Sequence, residues 1–129
     1  MAERPFAEVY AELRRAFVAS TRERLVRMRT ALDNIAVGSG DAVEDIRALR
    51  RDAHGLRGLG GTYGYPLVTE AADRLETLTA DRDRIESSGQ GKARLLIDAI
   101  ERALAMHDNP APAETDAFVR GLPTVDNAD

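Results

Sequence analysis

Apolar residues recur every three to four positions along most of the chain, which is the spacing of one face of an α-helix. The first such stretch starts after Pro5, a residue suited to the first turn of a helix. Ser20 followed by Glu23 has the spacing of a capping box, so we predict a break or kink near residues 19–21 and a short N-terminal helix before a longer one. The unbroken apolar stripe is the argument for a single longer helix. Its members are Phe6, Val9, Tyr10, Leu13, Phe17, Thr21, Leu25, Met28, Leu32 and Ile35.

The next amphipathic stretch is predicted to be a helix from about Ala42 to about Gly61. VGSGD at 37–41 has the composition of a loop, and Asp41 can cap this helix with Glu44 at the capping-box position. TYGYP at 62–66 predicts the turn that follows it.

Two more amphipathic helices are predicted after this turn. In the turn, Gly64 breaks the preceding helix, and Pro66 fits the start of the next one, which we expect to end near Arg84. SSGQG at 87–91 is predicted to be a loop, and the last helix is predicted to end near His107.

No stretch alternates with period 2, so the pattern does not predict a sheet. Helices with one apolar stripe each and short loops favour an all-α fold, an antiparallel up-down four-helix bundle with an additional short N-terminal helix. We expect the bundle to occupy residues 1–107. Residues 108–129 contain three prolines and several acidic residues, which predicts a disordered tail or linker.

The composition of the chain argues against several classes of protein and of chemistry. The 129 residues are 43% hydrophobic and 31% charged, a globular balance in one domain. No apolar run approaches the ~20 residues of a membrane span, and residues 1–20 carry charges throughout, so neither a membrane segment nor a secretory signal is expected. The chain has no cysteine, which excludes disulfides and thiol chemistry and fits a cytoplasmic location.

The charge is unevenly distributed along the chain, whose net charge is −4. Residues 1–64 carry 11 Arg/Lys and 9 Asp/Glu, and residues 65–129 carry 7 and 13. Neither half is polybasic, so we expect no nucleic-acid partner.

The candidate chemistry lies around His54, in the glycine-rich stretch DAHGLRGLGGTYGYP at 52–66. On a helical wheel the core stripe of this helix contains Ile46, Leu49, Ala53, Leu56 and Gly60. A second group lies within about 60° of His54: Arg47, Arg50, Arg51, Arg57, Gly58 and Gly61. The histidine is therefore either an exposed residue on a solvated basic face or part of an anion-binding site. We expect Gly60 to allow close helix packing, and Gly58 and Gly61 to keep the surface low for a docking partner.

HGLRG at 54–58, followed by Gly64, resembles the H-x-L-[KR]-G…G signature of histidine phosphotransfer (HPt) domains. Ala72, Leu75 and Glu76 match the A-x-x-L-E pattern of that family on the next helix, and residues 8–106 fit its bundle in length and order. The same signature occurs in the N-terminal domain of chemotaxis histidine kinases. A fragment of such a kinase is therefore an open alternative.

The resemblance implies a phosphorelay intermediate that transfers phosphoryl groups without kinase activity of its own. His54 would be the phosphoacceptor at Nε2, Arg57 would clamp the phosphoryl group, and Glu76 would accept a hydrogen bond from His54 Nδ1 and so orient the ring. The expected partners are receiver domains of response regulators and a sensor or hybrid histidine kinase. No cofactor is expected on this chain, because the receiver would supply Mg²⁺, and the chain is expected to be a monomer.

The docking surface expected for these partners comprises Arg47, Arg50, Arg51, Gly58 and Gly61. A helical adaptor, or a pseudo-HPt protein that binds receivers without carrying phosphate, is the alternative from a different class. Serine hydrolase chemistry is excluded by the absence of a nucleophile elbow. Two histidines 53 residues apart do not predict a metal site, and His107 is better explained by the dipole at a helix C-terminus.

Overall fold

The computed structural model describes residues 4–106 and 110–126, and in these ranges the chain forms five α-helices and no strand. The helices are α1 (Phe6–Val37), α2 (Ala42–Thr62), α3 (Pro66–Thr79), α4 (Ser87–Ala105) and α5 (Pro112–Gly121). Helices α1 to α4 each pack against the next, and α4 packs back on α1. Because short loops connect them, sequential helices are antiparallel, and the predicted all-α four-helix bundle is confirmed. Within the described residues no helix is long and apolar enough to cross a membrane.

Helix α1 corrects one prediction, because it is a single helix of 32 residues without a break near residues 19–21. The prediction of a separate short N-terminal helix is therefore wrong. Phe17, Thr21 and Leu25 are all buried, so the apolar stripe runs through the predicted break and packs continuously against the bundle. The packing of this stripe outweighs the local capping signal of Ser20 and Glu23.

Both ends of α2 agree with the sequence. The Asp41 carboxylate accepts hydrogen bonds from the backbone N–H groups of Val43 and Glu44 at 3.0 and 3.3 Å, which confirms it as the N-cap. At the other end Gly64 has φ 83°, a left-handed conformation that favours glycine. Pro66 then occupies the first turn of α3, as predicted.

The connection between α3 and α4 differs from the prediction. Helix α3 ends at Thr79 instead of near Arg84, and Asp81 follows with φ 52°, a conformation that cannot continue a right-handed helix. The SSGQG segment at 87–91 lies inside α4 instead of forming a loop. Its serines and glycines occupy the first turns, and the Gln90 side chain donates to the carbonyl of Ile85 at 2.9 Å, which anchors this end to a buried residue.

The C-terminal segment also differs, because residues expected to form a disordered tail contain α5. The Glu114 carboxylate accepts a hydrogen bond from the backbone N–H of Ala111 at 3.1 Å at the start of this helix. Leu122 is buried in the bundle core, and Phe118 and Val119 pack against that core. Apolar side chains spaced along a short helix therefore fix a segment whose overall composition is typical of disorder. His107, the predicted end of the last bundle helix, lies outside the described residues.

Candidate functional site

His54 lies on the solvent side of α2. Its neighbours Ala53 and Leu56 are fully buried in the core, so helix geometry turns position 54 outward. The imidazole is 68% exposed, and its Nδ1 lies 2.8 Å from Oε2 of Glu76 on α3. A carboxylate can only accept this hydrogen bond, so Nδ1 carries a proton and Nε2 is the ring nitrogen that this contact leaves available.

Glu76 joins α3 to two side chains of α2. It follows the fully buried Leu75, and its own side chain is only 17% exposed. One carboxylate oxygen accepts from His54, and the other accepts from Nη1 of Arg57 at 3.1 Å. With one donor on each oxygen, the carboxylate has a fixed orientation, and so has the imidazole that it contacts.

Arg57 does not point freely into solvent. The same Nη1 that donates to Glu76 also donates to Oδ1 of Asp73 at 3.4 Å, while the side chain stays 43% exposed. The structure thus brings together the three residues that the resemblance singles out, and it adds Asp73. The sequence carried a signal for this fourth residue: Asp73 precedes Glu76 by three positions and so shares its helix face.

The arginines predicted beside His54 are found there. Arg47, Arg50 and Arg51 line a surface depression of about 570 Å³ together with His54 and Glu76. Arg47 also pairs with Glu44 at 2.9 Å. The depression gives the exposed face of the imidazole a mostly cationic surround, which favours an anionic ligand.

The glycines around His54 divide into two kinds. A Cβ at Gly60 would lie 2.6 Å from Oγ1 of Thr69 and 3.0 Å from the carbonyl oxygen of Tyr65, so α2 and α3 approach too closely there for a side chain. A Cβ at Gly58 would meet no described atom within 4 Å, and one at Gly61 would meet only Thr69 Oγ1, at 3.9 Å. Packing therefore explains Gly60 and leaves Gly58 and Gly61 unexplained.

Sequence reasoning missed Arg24 of α1. Its side chain lies beside Gly55, the residue that follows His54 on α2. Its guanidinium occupies the space that a Cβ of Gly55 would need. The side chain is 25% exposed, and Nη1 lies 3.9 Å from Oδ1 of Asp52. Gly55 thus admits an arginine between α1 and α2, a contact that depends on the relative position of two helices.

No metal-binding group stands out in the described part of the chain, which contains no cluster of three or more His, Cys, Asp or Glu side chains that could hold an ion.

Comparison with protein families gives a match. A family model described as Hpt domain matches residues 12–109, a range that contains α2 to α4, most of α1 and the whole His54 site. No curated protein and no solved structure matched the chain.

Proposed function

Since the chain belongs to the Hpt domain family, we propose that it is a phosphorelay intermediate with His54 as its phosphoacceptor. His54 accepts a phosphoryl group from an aspartyl phosphate of a receiver domain or from a histidine kinase, and another receiver aspartate takes it in turn. The observation that supports this proposal is the ring geometry: an exposed imidazole whose Nδ1 is held 2.8 Å from Glu76.

In the transfer step the lone pair of His54 Nε2 attacks the phosphorus of the acyl phosphate. The P–Nε2 bond forms, the P–O bond to the aspartate breaks, and its electron pair leaves on the aspartate carboxylate. The ring keeps its Nδ1 proton and becomes positively charged, so the Glu76 carboxylate stabilises the charge that develops. The reverse step returns the phosphoryl group to a second receiver.

Arg57 is proposed to clamp the transferred phosphoryl group. It lies one turn from His54, and a guanidinium matches the geometry of phosphoryl oxygens. Because phosphoryl transfer requires positioning and charge stabilisation, a nucleophile and a cation on this chain suffice when the receiver supplies Mg²⁺ and the aspartate. No kinase activity or resident cofactor is proposed for this chain.

The docking surface is proposed to comprise Arg47, Arg50, Arg51, Gly58 and Gly61. The arginines line the depression beside His54 and attract an acidic receiver surface. The two glycines carry no side chain that would hold a partner away from the imidazole. We propose further that the protein acts as a cytoplasmic monomer.

The test is transfer of labelled phosphate from receiver domains charged with acetyl phosphate. The wild-type chain should acquire an acid-labile, alkali-stable label, as phosphohistidine does, and His54→Gln should lose it completely with its melting temperature preserved. His107→Gln, which removes the other histidine, is the matched control and should label normally.

Label that persists in His54→Gln, or that disappears in His107→Gln, would contradict the assignment of the phosphoacceptor. A wild-type chain that binds receivers without acquiring label would instead favour the adaptor, or pseudo-HPt, alternative.

A further inference from the structure

Arg57 donates hydrogen bonds to two carboxylates of α3, Asp73 and Glu76, which lie at different positions along the helix axis. Helices α2 and α3 are antiparallel, so the step from His54 to Arg57 runs alongside the step from Glu76 to Asp73. Glu76 is level with His54, which it contacts at 2.8 Å, and Asp73 is level with Arg57, which it contacts at 3.4 Å. Asp73 therefore attracts the guanidinium along α3, away from the imidazole.

The charges make this attraction relevant to phosphate binding. In the unphosphorylated protein the single positive charge of Arg57 faces two negative ones, at 3.1 Å on Glu76 and 3.4 Å on Asp73. A phosphoryl group on His54 Nε2 would be a third anion competing for the same guanidinium. Glu76 also contacts the imidazole of His54. Asp73 is 54% exposed, and its one ion pair within the described residues is with Arg57.

We propose that Asp73 is a positioning residue that holds Arg57 in the unphosphorylated arrangement and so lowers the affinity of His54 for the phosphoryl group. Arg57 leaves Asp73 when it contacts the phosphoryl oxygens, and the loss of that ion pair opposes phosphorylation. A phosphohistidine that is less stable is a better donor to the next receiver. This inference rests on the proposed function, because it concerns the phosphorylated state of His54.

The experiment measures the equilibrium of phosphoryl transfer between the chain and a receiver domain charged with acetyl phosphate. Asp73→Asn should shift the equilibrium constant towards phosphohistidine by roughly two- to fivefold, the range that a partly exposed ion pair can account for. Asp73→Glu, which restores the carboxylate, should return it towards the wild-type value. Because Asp73 is exposed on a helix surface, the variants should keep the wild-type melting temperature.

Two controls separate the contact with Arg57 from the general effect of removing a negative charge. Glu70→Gln removes an exposed carboxylate from the same helix that has no contact with Arg57 in the described structure, and it should leave the equilibrium unchanged. In an Arg57→Gln background, Asp73→Asn should have no further effect, because its partner is already absent.

An equal shift in Glu70→Gln, or an undiminished shift in the Arg57→Gln background, would overturn the inference in favour of a non-specific field effect. So would a wild-type equilibrium constant in Asp73→Asn, and in each case the proposed function would stand. Failure of every receiver to transfer phosphate to the wild-type chain would overturn the proposed function itself and this inference with it.

Discussion

At the scale of single residues, the geometry around His54 depends on the two hydrogen bonds that the Glu76 carboxylate accepts. Glu76 is mostly buried, and each of its oxygens accepts from a different side chain of α2. Hydrogen bonds between charged or ionisable groups are stronger where water is partly excluded. Glu76 therefore fixes the Nδ1–H tautomer of His54 and shares the Arg57 guanidinium with Asp73.

Glu76→Gln should slow phosphoryl transfer by about tenfold or more, because a charge-assisted hydrogen bond contributes roughly 1.5–3 kcal/mol. The amide has only one oxygen for two donors, and it has no charge to stabilise the imidazolium. Single-turnover transfer rates provide the measurement, with circular dichroism to verify the bundle and Glu70→Gln as the control for a neutralised acid of α3. Unchanged rates would leave Glu76 without a role in transfer.

The sequence predicted part of this constellation. The exposed position of His54 follows from the helical wheel, and its contact with Glu76 was expected from the A-x-x-L-E resemblance. The contact of Asp73 with Arg57 depends on the register of α2 against α3, and that of Arg24 with Gly55 depends on the packing of α1 against α2. Neither contact can be predicted from the spacing of residues along a single sequence.

At the scale of helices, α2 contains two glycines, Gly58 and Gly60, that lie two positions apart and differ in their packing. Gly60 lies in the contact with α3, whereas Gly58 faces solvent beside the histidine. Each glycine in a helix costs roughly 0.8–1.0 kcal/mol relative to alanine. At Gly60 close packing against α3 offsets this cost, whereas no packing contact at Gly58 does so.

Gly58→Leu and Gly60→Ala should therefore have opposite effects. Gly58→Leu should melt at or above the wild-type temperature while losing receiver binding and phosphoryl transfer, because the new side chain would stand on the proposed docking surface. Gly60→Ala should melt at a lower temperature, because its Cβ would lie 2.6 Å from Thr69 Oγ1. Thermal melts and a binding assay compare the two, and normal transfer by Gly58→Leu would show that position 58 has no part in docking.

Helix ends were harder to predict than helix faces. The wheel gave the buried face of α2 correctly: Ile46, Leu49, Ala53, Leu56 and Gly60 are all buried. The break predicted in α1 rests on the capping-box spacing of Ser20 and Glu23, and the loop predicted at 87–91 rests on serine and glycine composition, so both depend on local signals. These signals are worth about 1 kcal/mol each, so the burial of a continuous apolar stripe outweighs them.

At the scale of the whole molecule, the C-terminal segment is fastened to the bundle by both backbone and side-chain contacts. Arg74 of α3 donates to the carbonyl oxygens of Leu122 and Pro123 at 3.3 and 3.1 Å, and Arg82 donates to that of Asp126 at 3.1 Å. The guanidinium of Arg102 lies 5.8 Å from the ring centroid of Phe118. Leu122 joins the core cluster, and none of the described residues 110–126 lines the depression beside His54.

Leu122→Ala tests whether this segment belongs to the folded unit. Leu122 is 5% exposed and belongs to the core cluster, so its truncation should lower the free energy of unfolding by about 2–3 kcal/mol, the lower part of the range for buried leucines. Leu95→Ala is the matched control, because Leu95 is 56% exposed on α4 and its truncation should cost less than about 0.5 kcal/mol. Both variants should transfer phosphate normally below their melting temperatures, since neither residue lines the His54 depression. Denaturant unfolding of the two variants measures the difference, and equal stabilities would mean that residues 110–126 do not pack on the bundle in solution.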